Sequence, residues 1–189
     1  MSDPYGGLEA AARQFEASKG EARAIAGNLS EAQLNWRPAS NRWSIAECLL
    51  HLATSDAVLA ALDTAINTAR AKGWVSPGPF RYGWFTRINV RIMEPPPKFR
   101  MKTFSILTPP GAPHTRDTVL RTFDESRDRL LQRVRQAAGL DLKRAIVISP
   151  VSRFFRLPLG GYVAFLAAHD RRHLWQAKQV QAAPGWPRT

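Results

Sequence analysis

The chain has one cysteine, Cys48, so no intramolecular disulfide can form, and the composition fits a reducing compartment. Cys48 falls inside an apolar helical run, where a buried, inert thiol is expected rather than a nucleophile. The first twenty residues carry Asp3, Glu9, Arg13, Glu16 and Lys19 and no apolar core, so no signal peptide is expected. No apolar run approaches the roughly 18 residues of a membrane span, so the expectation is a cytoplasmic protein without a membrane. Internal repeats and low-complexity tracts are also missing. Acidic residues are scarce, 15 against 27 Lys and Arg, and the net charge is +12. That excess predicts a basic surface able to attract nucleic acid, an anionic membrane or an acidic small molecule, but charge alone names no partner. Histidine is scarce too, with only four in the chain.

What is present is an ordinary globular composition, 44% hydrophobic and 22% charged over 189 residues. This is enough for a single core, and one domain over residues 1–189 is expected. Helical periodicity dominates. Asp3-Pro4 is a helix start, and Leu8, Ala11, Ala12, Phe15, Ala22, Ile25 and Leu29 give a stripe to about Asn28. Leu29 to Leu34 reads as one short helical turn, and Trp36 to Asn41 as a loop. Ser44-Ile45-Ala46-Glu47 is a capping box, with Trp43 and Cys48 placed for a hydrophobic staple. From it Ile45, Leu49, Leu52, Leu59, Leu62 and Ile66 carry a second long helix to about Lys72, with Gly73 as the stop.

Eight prolines between Gly73 and Thr115 rule out one regular helix there. Residues 74–114 therefore read as a long Pro-rich crossover, with a short helix over Trp84 to Met93 and an extended piece over Met101 to Leu107. Connections this long are uncommon unless they cross a bundle or cover a site. A third helix is expected from the cap Thr115 to Gly139, with Val119, Leu120, Phe123, Leu130, Leu131 and Val134 inward. Its arginines, Arg116, Arg121, Arg127, Arg129, Arg133 and Arg135, are expected on a solvated face. Ala145 to Ile148 is briefly extended, and Leu157 to Gly161 leads into a fourth helix over Tyr162 to Ala183. The expectation is an all-α four-helix bundle with the crossover between its second and third helices.

The chemistry concentrates on that fourth helix. His169 and His173 are four residues apart, so they point the same way and could hold one metal ion from one helix face. His51 on the second helix, flanked by Leu50 and Leu52, is expected to face inward and to complete a three-histidine set. Three neutral imidazoles suit zinc or nickel and leave a position for water or substrate. His114, beside the third helix start, is set apart as a loop histidine. Glu47, one turn before His51, could fix the imidazole or act as a base, although its capping role already accounts for it. Gln176, one turn after His173, could line the pocket or bond to a ligand. Tyr162 could project toward the same pocket. Asp170 and Arg172 are turned about 100° from the neighbouring histidines and are expected on the solvated flanks of the helix. Asp56 is off the His51 face and a poor fourth ligand.

Trp36-Arg37-Pro38, Trp43-Ser44-Ile45-Ala46-Glu47, His51-Leu52, Leu157-Pro158-Leu159-Gly160-Gly161-Tyr162 and His169-x3-His173-x2-Gln176 together resemble the DinB/YfiT-like superfamily, over nearly the whole chain. The resemblance implies a four-helix bundle binding a divalent metal through His51, His169 and His173. It also implies an enzymatic role, since members with assigned activity include low-molecular-weight-thiol S-transferases and related isomerases. The crossover from Trp74 to His114 matches no motif.

Three functions follow from these features. The first is a metal-dependent enzyme acting on a small molecule, a thiol S-transferase or a hydrolase. The second is a basic nucleic-acid-binding module, which the lack of a helix-turn-helix, zinc-finger or RNP signature disfavours. The third is a self-associating bundle with a structural or vestigial metal, since an exposed apolar helix face would allow a homodimer.

Overall fold

A computed structural model describes residues 7–53, 56–76, 80–97 and 113–187 of the chain. In order, the elements are α1 (Gly7–Ala26), α2 (Glu31–Asn35), α3 (Ile45–Leu52), α4 (Asp56–Ala71), α5 (Trp84–Met93), α6 (Arg116–Gln136), β1 (Ile146–Ile148), β2 (Arg156–Pro158) and α7 (Leu159–Gln181). The long helices are α1, the pair α3 and α4, α6 and α7, and among the described residues the fold is all-α apart from one two-stranded hairpin. The helix start expected at Asp3-Pro4 and the extended piece at Met101–Leu107 lie outside the described residues.

Local sequence chemistry sets the element ends. The Ser44 hydroxyl accepts from the Glu47 N–H while the Glu47 side chain accepts from the Ser44 N–H, the two halves of the capping box that starts α3. Ser30 and Gln33 build the same device at α2, and Thr115 caps α6 by accepting from the Thr118 N–H. Helices α4 and α6 are followed by Gly73 and Gly139 at φ of +61° and +77°, where a side chain would be strained. In the hairpin, Val147 pairs with Leu157 and both point inward, while Ile146 and Ile148 face solvent.

Two departures from the sequence reading concern the second helix. It is described as α3 and α4, because Ala53 leaves helical geometry at ψ 71°. The expectation that no apolar run approaches a membrane span is also corrected. Ile45–Ala71 contains an 18-residue window of mean hydropathy 1.5, long and apolar enough to cross a membrane by length and composition. That window is 56% buried, and its Leu49, Leu52, Leu59, Leu62 and Ile66 are core residues of the bundle.

The core has two apolar halves. One gathers Phe15, Leu59, Leu62, Ile66, Leu130, Val163 and Leu166; the other gathers Ile25, Leu34, Ile45, Leu49, Phe123, Leu174 and Val180. Between them along the helices lie Ser18 of α1, Ser126 and Arg127 of α6, and Asp170 of α7, all buried. This polar layer falls at the level where α3 ends. A third, smaller cluster joins Val90 and Met93 of α5 to Ala164 and Ala168 of α7. It explains why α7 opens with Gly160-Gly161. A methyl group at Gly161 would lie 2.7 Å from Thr86 Cγ2, and one at Gly160 would lie 2.8 Å from the Phe80 ring. The glycines let the crossover sit directly on the helix, which therefore begins at Leu159, three residues before the expected start.

Candidate metal centre

The capping box fixes the start of α3 and hence its phase, which turns His51 toward α7. On α7 the four-residue spacing puts His169 and His173 on the side facing His51. His51 Nε2 and His169 Nε2 lie 3.1 Å apart, and one ring nitrogen from each of the three histidines falls within 4.8 Å of the other two. Two nitrogens bound to a tetrahedral ion at ~2.0–2.1 Å would be separated by about 3.3 Å, so the spacing matches a shared cation. Around them, the Trp43 ring packs against His51 at 4.8 Å and His173 at 5.6 Å, and Phe165 stacks on His169 at 6.3 Å.

Tautomer and charge are set by neighbours. Gln176 Oε1 lies 3.0 Å from His173 Nδ1; an amide oxygen only accepts, so Nδ1 carries the proton and the lone pair is left on Nε2. Burial holds His169 well below its ordinary value of 6.5, with His173 and His51 pushing the same way. It does the same to His173, aided by His51 and Arg172. Both rings are thus neutral near pH 7, the form that ligates a metal. The donor set fits a divalent cation: three convergent imidazoles from two helices, the two on α7 held neutral by burial.

The other sequence candidates lie elsewhere. Glu47 Oε2 accepts from the Ser44 N–H at 2.9 Å and from Arg37 Nε at 2.8 Å, and Oε1 pairs with the other end of the same guanidinium. Burial pushes the Glu47 carboxyl up, but these hydrogen bonds hold it below its ordinary value. Tyr162 is buried in the core, its hydroxyl bonded to the Ser149 side chain. The backbone of His114 is clasped at both N–H and C=O by the Asn35 side chain, far along the chain from the cluster. Asp56 pairs with Arg129. Cys48 is fully buried, and burial pushes its thiol far up, so it is inert as expected.

Three residues read as solvated are not. Arg127 and Asp170 are each 1% exposed and form a buried ion pair, and Arg172 is buried with Nη1 donating to the Ile92 carbonyl at 3.2 Å. On α6 the spacing itself puts Arg127 within the apolar stripe, four residues after Phe123 and three before Leu130. A signal also existed on α7, where Leu166, Ala167, Ala168, Leu174 and Ala177 leave almost no polar side. A helix apolar all round is buried, so charges within it need partners. The rest of the α6 arginine face is largely tied up in ion pairs: Arg129 with Asp56, Arg133 with Asp63, Arg121 with Glu125 and Arg116 with Asp117. Sequence reasoning also missed Arg37 as the partner of Glu47, and Trp43 and Phe165 as walls of the histidine cluster.

An all-α bundle with three histidines converging from its second and fourth long helices defines the class: a helical bundle with a candidate metal centre. The particular family follows from comparison. The family model of the DinB superfamily matches residues 14–177, a span that includes all three histidines, and the chain belongs to that superfamily. Among solved structures it is similar to YfiT from Bacillus subtilis, described as "a probable metal-dependent hydrolase with an unusual four-helix bundle topology". The two superpose with a TM-score of 0.55 over 95% of this chain and 89% of that one, at 12% identity, a likeness of fold. Comparison with curated proteins found no match.

Proposed function

We propose that the protein is a metal-dependent enzyme acting on a small molecule, with His51, His169 and His173 as ligands of one divalent cation, zinc or nickel. The observation that carries this reading is the approach of the three ring nitrogens, two of them 3.1 Å apart, in a setting that keeps the His169 and His173 rings neutral. A divalent cation, when bound, supplies Lewis acidity, which polarises a small substrate and favours deprotonation of a water or a thiol. The chain's own residues do the rest. Gln176 holds the His173 ring in one tautomer, while Trp43 and Phe165 shield the cluster with apolar surface. Glu47 stabilises the helix start rather than acting on substrate, since its oxygens are engaged by Ser44 and Arg37.

The reaction class is hydrolysis or transfer to a low-molecular-weight thiol, in a cytoplasmic protein. Hydrolysis agrees with the description of the Bacillus subtilis neighbour. Nucleic-acid binding is the weaker alternative, because most of the α6 arginines are neutralised within the chain. Metal analysis of protein purified without a histidine tag tests the reading. About one ion per chain is expected, lost in His51→Ala and in His169→Ala. Metal content unchanged in both variants would overturn it.

A further inference from the structure

Of the buried groups outside the histidine cluster, Arg127 makes contacts that reach both helices carrying the histidines. Its Nη1 donates to Asp170 Oδ1, and its Nη2 donates to the Leu52 carbonyl and lies 3.1 Å from Ser126 Oγ. The Phe15 and Phe123 rings, one from each half of the core, stand 5.9 and 4.9 Å from the guanidinium carbon. Leu52 follows His51 in the chain, and Asp170 follows His169. One planar group on α6 therefore grips the residue next to a histidine on each of two other helices.

That arrangement has a mechanical consequence. A guanidinium presents its donors at fixed angles within one plane, unlike an ammonium, which is a point charge on a flexible stem. Two bonds from the same plane fix the separation of the α3 end from the α7 backbone, and the 3.1 Å approach of His51 to His169 depends on that separation. Ligand atoms must be held to about 0.5 Å for a metal site to bind well. Charge compensation alone would not call for this residue, because buried ion pairs can often be replaced by apolar side chains of similar volume without loss of stability.

We propose that Arg127 is a positioning residue of the metal centre, its guanidinium setting the spacing between the helix end that carries His51 and the helix that carries His169 and His173. The proposal rests on the metal-centre reading above.

Two variants test it, with zinc affinity measured by chelator competition and the visible spectrum of the cobalt(II)-loaded protein as readouts. Arg127→Lys keeps a positive charge beside Asp170 but cannot reproduce the planar fork. Arg127→Met combined with Asp170→Leu removes the pair and fills its space. Each is expected to keep the far-ultraviolet circular dichroism of the parent. Zinc should bind about tenfold or more weakly, as when outer-sphere partners of ligands are lost, and the cobalt absorption should change. If one variant fails to fold, the other decides. Affinity within twofold of the parent with an unchanged cobalt spectrum in a folded variant overturns the proposal, and so does failure of both to fold, which would make Arg127 a purely structural residue. A parent protein that binds no zinc or cobalt would sink the metal-centre reading itself, a separate result.

Discussion

Two polar groups lie side by side along α7, one buried and one partly buried, and they answer the loss of solvent in opposite ways. On one flank Asp170 meets Arg127, and opposite charges cancel within the chain. On the adjacent face His169 and His173 meet His51, three rings of one kind whose protonation would be mutually unfavourable. The ion pair balances its charge within the chain, whereas burial holds His169 and His173 toward the neutral form, with lone pairs available. A closed pair stabilises an arrangement of helices; three convergent ring nitrogens match what the proposed divalent cation would need.

The largest effect that would sharpen this contrast is on metal content. His169→Ala is expected to drop a bound ion from about one per chain to background, with little change in the circular dichroism spectrum; mass spectrometric metal analysis reads it directly. Next is the ion pair taken alone. Arg127→Met leaves the Asp170 carboxylate buried without its counterion, so a loss of about 3–5 kcal/mol is expected in denaturant unfolding. Adding Asp170→Leu should restore most of it, and no recovery would show that the two side chains are not energetically coupled.

A smaller loss is expected at the seat of α5. Gly161→Ala would drive a methyl group into Thr86, for about 1–3 kcal/mol, with partial rescue by Thr86→Ala. Acid should then distinguish the two flanks. His169 and His173 have folded-state values below 6.5, so at acidic pH the unfolded chain binds protons that the folded one does not. Metal-free protein is fully supported above about 6.5 and loses stability as pH falls below it, by at most about 1.4 kcal/mol per ring per pH unit. Thermal unfolding between pH 7.5 and 5.5 would show this, and the slope should shrink in His173→Asn. The smallest effect is expected at the half-buried pair Arg133–Asp63, where Arg133→Ala should cost about 1 kcal/mol or less, in contrast to Arg127 six residues earlier on the same helix.

Much of the site could be read before folding. The His169–His173 spacing and the capping box before His51 are local features, and each fixes a direction in which a ring points. Arg127 was open to the same reading, standing four residues after Phe123 and three before Leu130 on the apolar side of α6, but its partner Asp170, 43 residues away, was not. Gly160-Gly161 looked like a linker because a pair of glycines usually ends helical structure. The close approach of Phe80 and Thr86 supplies a reason for them inside α7 that no local rule contains.

From the sequence alone came the helices, their caps, the proline-rich crossover and the three histidines, because these depend on backbone geometry and neighbours within a few positions. Tertiary structure alone decided that Arg127 and Asp170 are partners across 43 residues, that Arg37 occupies Glu47, and that the second helix breaks beside the guanidinium that takes up the Leu52 carbonyl. The physical reason is that a buried charge is tolerable only with its counterpart in place, and which counterpart arrives is settled by how whole helices pack.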